Sequence, residues 1–386
     1  MKKVTVALLM MCLALSVLVS GGTTGPSAQA ASISPIPLAG NGRESAPAPV
    51  AGADPFEAYY DAIDTDYSME VMNTLIGFGT NETYGFRTAG SSAELAAADY
   101  LAGQMEAIGL SNVTQEAVTV DTFTFKSASL TYTDVKGESV TIPMAMFQTT
   151  CQVENKPVEV IYLGQGTAAD YEGVDAAGKL VLLDINQYDD WWINWPAYQA
   201  KVKGAAGVIA VNVDGYCTYS EETVGVQDYC GPSDAPAFTI SVAQAAPLKA
   251  AIEAGGGSVQ AVLDADGLVE RDGVGYCVMG EIPGKTDEAI LVFAHYDAYF
   301  RAFSDNTSGI GCAMGIAKAL VESGYQPRRT IRFIAHCAEE WGLDNSRYDW
   351  ARGSTVLVQS HPEWSETTFM AVNLDGGVID GGAQGV

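Results

Sequence analysis

The chain has only three histidines in 386 residues, and one of them, His295, closes an apolar run. Asp297 follows two residues later, and Asp305 stands a little further on in the phrase SDNTSG. Two more apolar runs end in the same kind of chemistry. One ends in HCAEE, with Glu339 and Glu340, and the other in Asn373-Leu-Asp375. Any one of these acids reads as a solvated strand end. Gathered in one crevice they would repel one another and need a compensating positive charge. One imidazole among several carboxylates suits zinc or another divalent cation. The acids outnumber what one zinc requires, so the pattern points to a pair of ions bridged by a carboxylate. Ions about 3.5–4 Å apart activate a water and polarise a carbonyl, and a spare carboxylate can serve as general base.

Such residues meet only if the elements bring them together. YCVMGEI and AILVFAHYD read as strands, and Ala289–Ala294 is apolar throughout, as a strand buried on both faces should be. Asp305 and Asn306 introduce a helix in which Ile310, Ala313, Met314, Ala317, Leu320 and Val321 keep one face, with Gly324 and Pro327 ending it. TIRFIA (330–335) and FMAVNLD (369–375) supply two further strands. Strand, helix, strand, helix, strand predicts an α/β fold with a mixed, largely parallel sheet sandwiched by helices. In such a sheet, ligands collect at the carboxyl ends of the strands.

Upstream, residues 55–78 hold apolar positions at helical spacing, and GFRTAGSSAELAAADYLAGQMEAIGL carries a second helix. Ser91 and Glu94 there form a capping-box pattern, and Gly109 stops the helix. Arg87 in this phrase is a candidate to meet a substrate carboxylate, although pairing with a protein acid is its simpler role. Residues 118–134 alternate as a strand. Residues 150–265 differ in character: short β-rich runs (VEVIYLG, KLVLLDI, AAGVIAVNV, PAFTISV) and one helix near Pro196–Lys203 suggest a compact inserted domain. Trp191, Trp192 and Trp195 cluster within it, either as local packing or as an aromatic loop facing the crevice.

A formal charge of −27 disfavours nucleic acid and anionic membranes as partners. Lys2 and Lys3, the run VALLMMCLALSVLV and the small residues Ala28 and Ala30 predict a signal peptide over residues 1–30, hence a secreted protein with no membrane anchor after cleavage. Residues 31–54 are rich in Pro, Ala and Gly and read as a flexible linker. Cys217 and Cys230 flank a polar loop and are candidates for a disulfide in an oxidising compartment. Cys312 and Cys337 read as small buried thiols.

HYD, SDNTSG, AEEWGL and NLD together resemble the di-zinc exopeptidases of metallopeptidase family 28, and the GFRTAG segment resembles that family's opening. Residues 150–265, with GKLVLLD and KGAAGVIAV, resemble a protease-associated (PA) domain inserted into the catalytic domain, which would then comprise residues 55–149 and 266–386. The resemblance implies Zn²⁺ at two sites. His295 and Asp375 would bind the first ion, Asp305 would bridge, and Glu340 would bind the second. Glu339 would be the general base, and Asp297 would hold the imidazole in its binding tautomer. The implied activity is release of N-terminal residues from peptides by an aminopeptidase.

The family also uses a histidine beyond the third strand for the second zinc. The chain ends at Val386, eleven residues after Asp375, and GGVIDGGAQGV offers no such residue, so it reads as truncated at its C-terminus. His336 reads as a core or rim residue and His361 as a surface one, and neither is assigned as a ligand. Three rivals stay open: a carboxypeptidase, a glutaminyl cyclase, and a receptor-like binding protein on the same fold. The first needs a basic pocket, for which Arg301, Arg328, Arg329, Arg347 and Arg352 are available.

Overall fold

The computed structural model describes residues 56–189, 195–215, 220–222, 224, 235–343 and 350–376. The signal peptide, the linker, Trp191, Trp192, Cys217, Cys230, Arg347 and the tail after Gly376 lie outside the described residues. No helix among the described residues is long and apolar enough to cross a membrane.

Two long antiparallel strands, β1 (Ser111–Thr133) and β8 (Ser258–Ile282), pair over most of their length. On one side β8 pairs antiparallel with β10 (Arg329–His336), which pairs parallel with β9 (Thr286–His295), and β9 in turn pairs parallel with β11 (Thr368–Asn373). On the other side β8 pairs antiparallel with β4 (Cys151–Tyr162). From β4 a parallel run continues through β5 (Leu180–Asn186), β6 (Gly207–Asp214) and β7 (Ala237–Ile240). β3 (Ala145–Met146) closes that edge antiparallel to β7, and β2 (Ser139–Pro143) pairs with β1. The sheet is mixed, as expected, with parallel blocks at both ends and an antiparallel ribbon between them. β8 crosses residue 265 without a break.

Helices cover the sheet where the sequence leaves apolar faces. In α1 (Thr65–Gly77) the residues Val71, Met72 and Leu75 are buried, and in α2 (Ser92–Ala107) Ala97, Ala98, Leu101 and Met105 are. α3 (Trp195–Val202) packs on β6, and α4 (Val242–Ala254) covers β4 and β8 from a complete capping box at Ser241 and Gln244. The expected capping box on α2 forms only by half. Ser91 accepts the Glu94 N–H, but the Glu94 carboxylate turns to the N–H of Gly90 instead of that of Ser91. α5 (Gly309–Glu322) buries Ile310, Ala313, Met314 and Ala317 at helical spacing. It crosses α1 closely because Gly311 has no side chain: a methyl group there would collide with Met72. α6 (Arg352–Ser360) buries Leu357. One core cluster joins α1, α2 and α5 to β9 and β10, while others lie under β1 and β4 and around β5 and β6.

Candidate metal centre

The register of the parallel strands sets the site. His336 pairs with His295, and Asn373 pairs with Phe293, so β9, β10 and β11 end side by side. His295 is the last residue of β9, Glu339 and Glu340 follow β10 in the next turn, and Asp375 follows β11. The segment between β9 and α5 folds back over this edge and delivers Asp305.

Around the imidazole the acids close in. His295 Nε2 is 3.0 Å from Asp305 Oδ1, 3.6 Å from Asp375 Oδ1 and 3.9 Å from Glu339 Oε2. Ligand atoms of His295, Asp305 and Glu340 all lie within 4.8 Å of one another. On the other side of the ring, Nδ1 is 3.2 Å from the carbonyl oxygen of Asp297 and 3.4 Å from its Oδ1. Donation from Nδ1–H to that side leaves the Nε2 lone pair facing the acids. His295, Asp297 and Glu340 are buried, whereas the side chains of Asp305 and Asp375 are each 39% exposed, so the cluster opens to solvent on their side. The sequence-derived candidates His295, Asp297, Asp305, Glu339, Glu340 and Asp375 therefore lie in one place.

Charge at the site is unbalanced without a cation. Burial works against protonating His295, yet Glu339 and the hydrogen bonds to Asp297, Asp305 and Asp375 hold its pKa well above the ordinary value. Burial and the carboxylates of Asp297, Asp375 and Asp305 push Glu339 up to about 7, against the opposing pull of His295. Burial raises Asp375, but the hydrogen bonds from His295 and Asn373 and the charges of His295 and His336 together outweigh it, and the net shift is downward. The upward shift of His295 reflects a demand for positive charge among these acids, which a divalent ion would meet. One imidazole and several carboxylate oxygens form a donor set that fits such an ion. His336 is buried beside them with its ring 6.0 Å from that of His295. Burial and the His295 charge lower it to about 4.

The supporting contacts come from residues whose role sequence reading did not reach. Asp297 accepts the backbone N–H groups of both Glu339 and Glu340. Asn306 donates to the carbonyl of Leu374 and accepts from the N–H groups of Gly309 and Gly376, which ties the Asp305 segment to the Asp375 segment. Trp350 Nε1 donates to Glu339 Oε2 at 3.3 Å. Arg87 departs from both of its expected roles. Fully buried, it donates to the carbonyls of Tyr296 and Leu75 and to the hydroxyl of Thr307, rather than to an acid or the open site. Its backbone exchanges both hydrogen bonds with Ala298. The GFR phrase is a brace for the loop that follows His295, and the fully buried burial state of Arg87 has no signature in one sequence.

Three of the arginines held available for a basic pocket are engaged elsewhere. Arg301 donates to the carbonyl of Glu82, Arg329 pairs with Glu288, and Arg352 donates to the carbonyl of Thr119. His361 is partly buried and stacks on Trp364 between Glu116 and Glu363, away from the metal centre.

With this geometry in place, comparison with known proteins is informative. Residues 277–384 match the family model described as Peptidase family M28. The matched segment contains every candidate ligand and the candidate base, and the match supports a metallo-exopeptidase, a hydrolase acting on peptides. The fold agrees. An aminopeptidase from Aneurinibacillus sp. strain AM-1 is 20% identical, with a TM-score of 0.54 over 82% of this chain and 71% of that one. A peptidase M28 precursor from Shewanella amazonensis is 19% identical, with a TM-score of 0.63 over 82% and 72%. A zinc aminopeptidase from Bacillus subtilis is 21% identical, with a TM-score of 0.58 over 81% and 69%. At these identities the likeness speaks for the fold.

Proposed function

We propose that this M28 chain is a secreted, zinc-dependent aminopeptidase. The observation that carries the reading is the convergence of Asp305, Glu340, Asp375 and Glu339 on the buried imidazole of His295, which leaves Nε2 available to a cation. His295 and Asp375 would hold one zinc, Asp305 would bridge, and Glu340 would hold the second. When bound, zinc supplies a Lewis acid for the scissile carbonyl and eases deprotonation of water. Aminopeptidases of this fold, one of them described as a zinc enzyme, support the choice of metal and of end.

The chain's own residues then divide the work. Glu339 accepts a proton as water adds to the carbonyl carbon, and returns it to the amine nitrogen as the C–N bond breaks. Its raised pKa and its distance of 3.9 Å from His295 Nε2 fit a group beside the ligands that must hold a proton transiently. Trp350 orients its carboxylate. Asp297 keeps the His295 ring in one tautomer. Arg301, Arg329 and Arg352 are engaged with protein groups, which removes these three from a pocket for a terminal carboxylate. Residues 150–265 we assign to an inserted PA domain, which the parallel block β4–β7, on the far side of β8 from β9–β11, supports.

The test is direct. An unblocked tetrapeptide is incubated with the secreted protein, with and without a chelator, and the products are weighed by mass spectrometry. Chelator-sensitive loss of residues from the N-terminus is expected. Trimming from the C-terminus, or trimming that a chelator does not affect, overturns the reading.

A further inference from the structure

Behind the metal centre lies a second pair of reactive side chains. Cys277 on β8 and Cys337 just after β10 are both fully buried, with their sulfurs 3.9 Å apart. Their strands are direct neighbours: Val278, next to Cys277, pairs with Ala335, two residues before Cys337. The register sets Cys277 one step off Cys337, and the S–S bond needs the sulfurs to close from 3.9 Å to about 2.05 Å. Side-chain rotation and a small backbone adjustment cover the difference. The remaining described cysteines, Cys151 and Cys312, have no thiol neighbour recorded among the described residues.

The location gives the pair consequences. Residues 278–336, which the two cysteines enclose, include His295, Asp297 and Asp305. Cys337 is followed by Ala338, whose φ of 51° turns the chain so that the Glu339 and Glu340 N–H groups reach Asp297. A bond from Cys337 to Cys277 would anchor the start of that turn to the long central strand.

We propose that Cys277 and Cys337 are a redox pair that closes into an internal disulfide on meeting a disulfide oxidant, and that the bond clamps the Glu339–Glu340 turn onto β8. The oxidant is a small or protein-borne disulfide of the kind found in oxidising compartments. One cysteine attacks it as a thiolate, forming a mixed disulfide and releasing one thiol. The second cysteine then attacks the mixed disulfide, forms the Cys277–Cys337 bond and releases the second thiol. The protein loses two protons and two electrons, and the oxidant becomes two thiols. Since both sulfurs are buried, exchange takes place while the chain folds or when β8 and β10 part.

The test uses the full chain, refolded from denaturant in a mixture of oxidised and reduced glutathione. Free thiols are then alkylated, and the protein is digested without reduction. A cross-linked peptide pair joining Cys277 to Cys337, lighter by two hydrogens than the two thiol peptides, is expected. Alkylation of both cysteines under these conditions overturns the proposal. A second measurement compares melting with and without reductant. Closing so long a loop should raise the midpoint by about 5 °C or more, and this reductant-sensitive part should vanish in the Cys277→Ser, Cys337→Ser double variant. An equal response to reductant in both proteins also overturns it, because the other cysteines would then account for the effect.

Discussion

Asp297 accepts the backbone N–H of Glu339 with one carboxylate oxygen and that of Glu340 with the other, each at 3.0 Å. One buried acid thus holds the residues proposed as base and ligand, while its own main chain and side chain face His295 Nδ1. In Asp297→Asn one oxygen becomes an NH₂ group, which cannot accept the N–H in front of it. Metal affinity should fall about 10–100-fold, measured by competition with a chromogenic chelator. Unchanged affinity would remove Asp297 from its positioning role.

Glu339 is assigned to proton transfer and not to the metal. Glu339→Gln keeps the size and the contact with Trp350 but cannot take a proton. Turnover should drop about 10²–10⁴-fold, with zinc content by atomic absorption unchanged. Loss of zinc in this variant would make Glu339 a ligand instead.

The pKa of Glu339 makes a separate claim about the chelated protein. Folding raises it from 4.5 to about 7, chiefly through burial. The unfolded chain therefore ionises this group first as pH rises, and the folded state loses stability between about 4.5 and about 7. His295, raised well above its ordinary value, works in the same direction above pH 6.5. His336, lowered to about 4, works in the opposite direction, because it costs stability as pH falls from 6.5 toward 4. The discriminating quantity is therefore the difference between two proteins. Melting of chelated Glu339→Gln should decline less over pH 4.5–7 than that of the unmodified chain. Parallel curves would contradict the burial of this carboxylate.

Arg87 contributes through hydrogen bonds that no other side chain can replace in the same geometry. Its guanidinium meets Tyr296, Leu75 and Thr307 from one fully buried position. Arg87→Lys retains the charge but not the planar fork, and should cost about 2–4 kcal/mol in urea unfolding. A midpoint within error of the unmodified chain would show that the brace is dispensable.

Gly309 tests positioning without touching any candidate ligand. A methyl group at this position would collide with the carbonyl of Leu374 and crowd Asn306. Gly309→Ala should push Asp375 away from His295 and lower turnover by about 10²-fold while the chain still folds, as judged by circular dichroism. Full activity would mean that the Asp375 segment adapts without loss.

Much of this protein is legible in its residues alone. Apolar runs with no polar interruption require strands buried in a sheet, and the helical spacing from Ile310 to Ala317 requires one covered face. The acids at the ends of those runs then have only one edge on which to stand. That inference needs period and position, both of which are local properties. Tertiary structure alone decided the rest. Asp297 lies 42 residues before Glu339, yet takes its N–H. Arg87 reaches Thr307 across 220 residues, and Cys277 meets Cys337 across 60. The Glu94 carboxylate turned to Gly90, and Trp350 found Glu339. Contacts of this kind depend on strand register, turn geometry and the full surroundings of a buried group, and these are set only when distant parts of the chain have packed together.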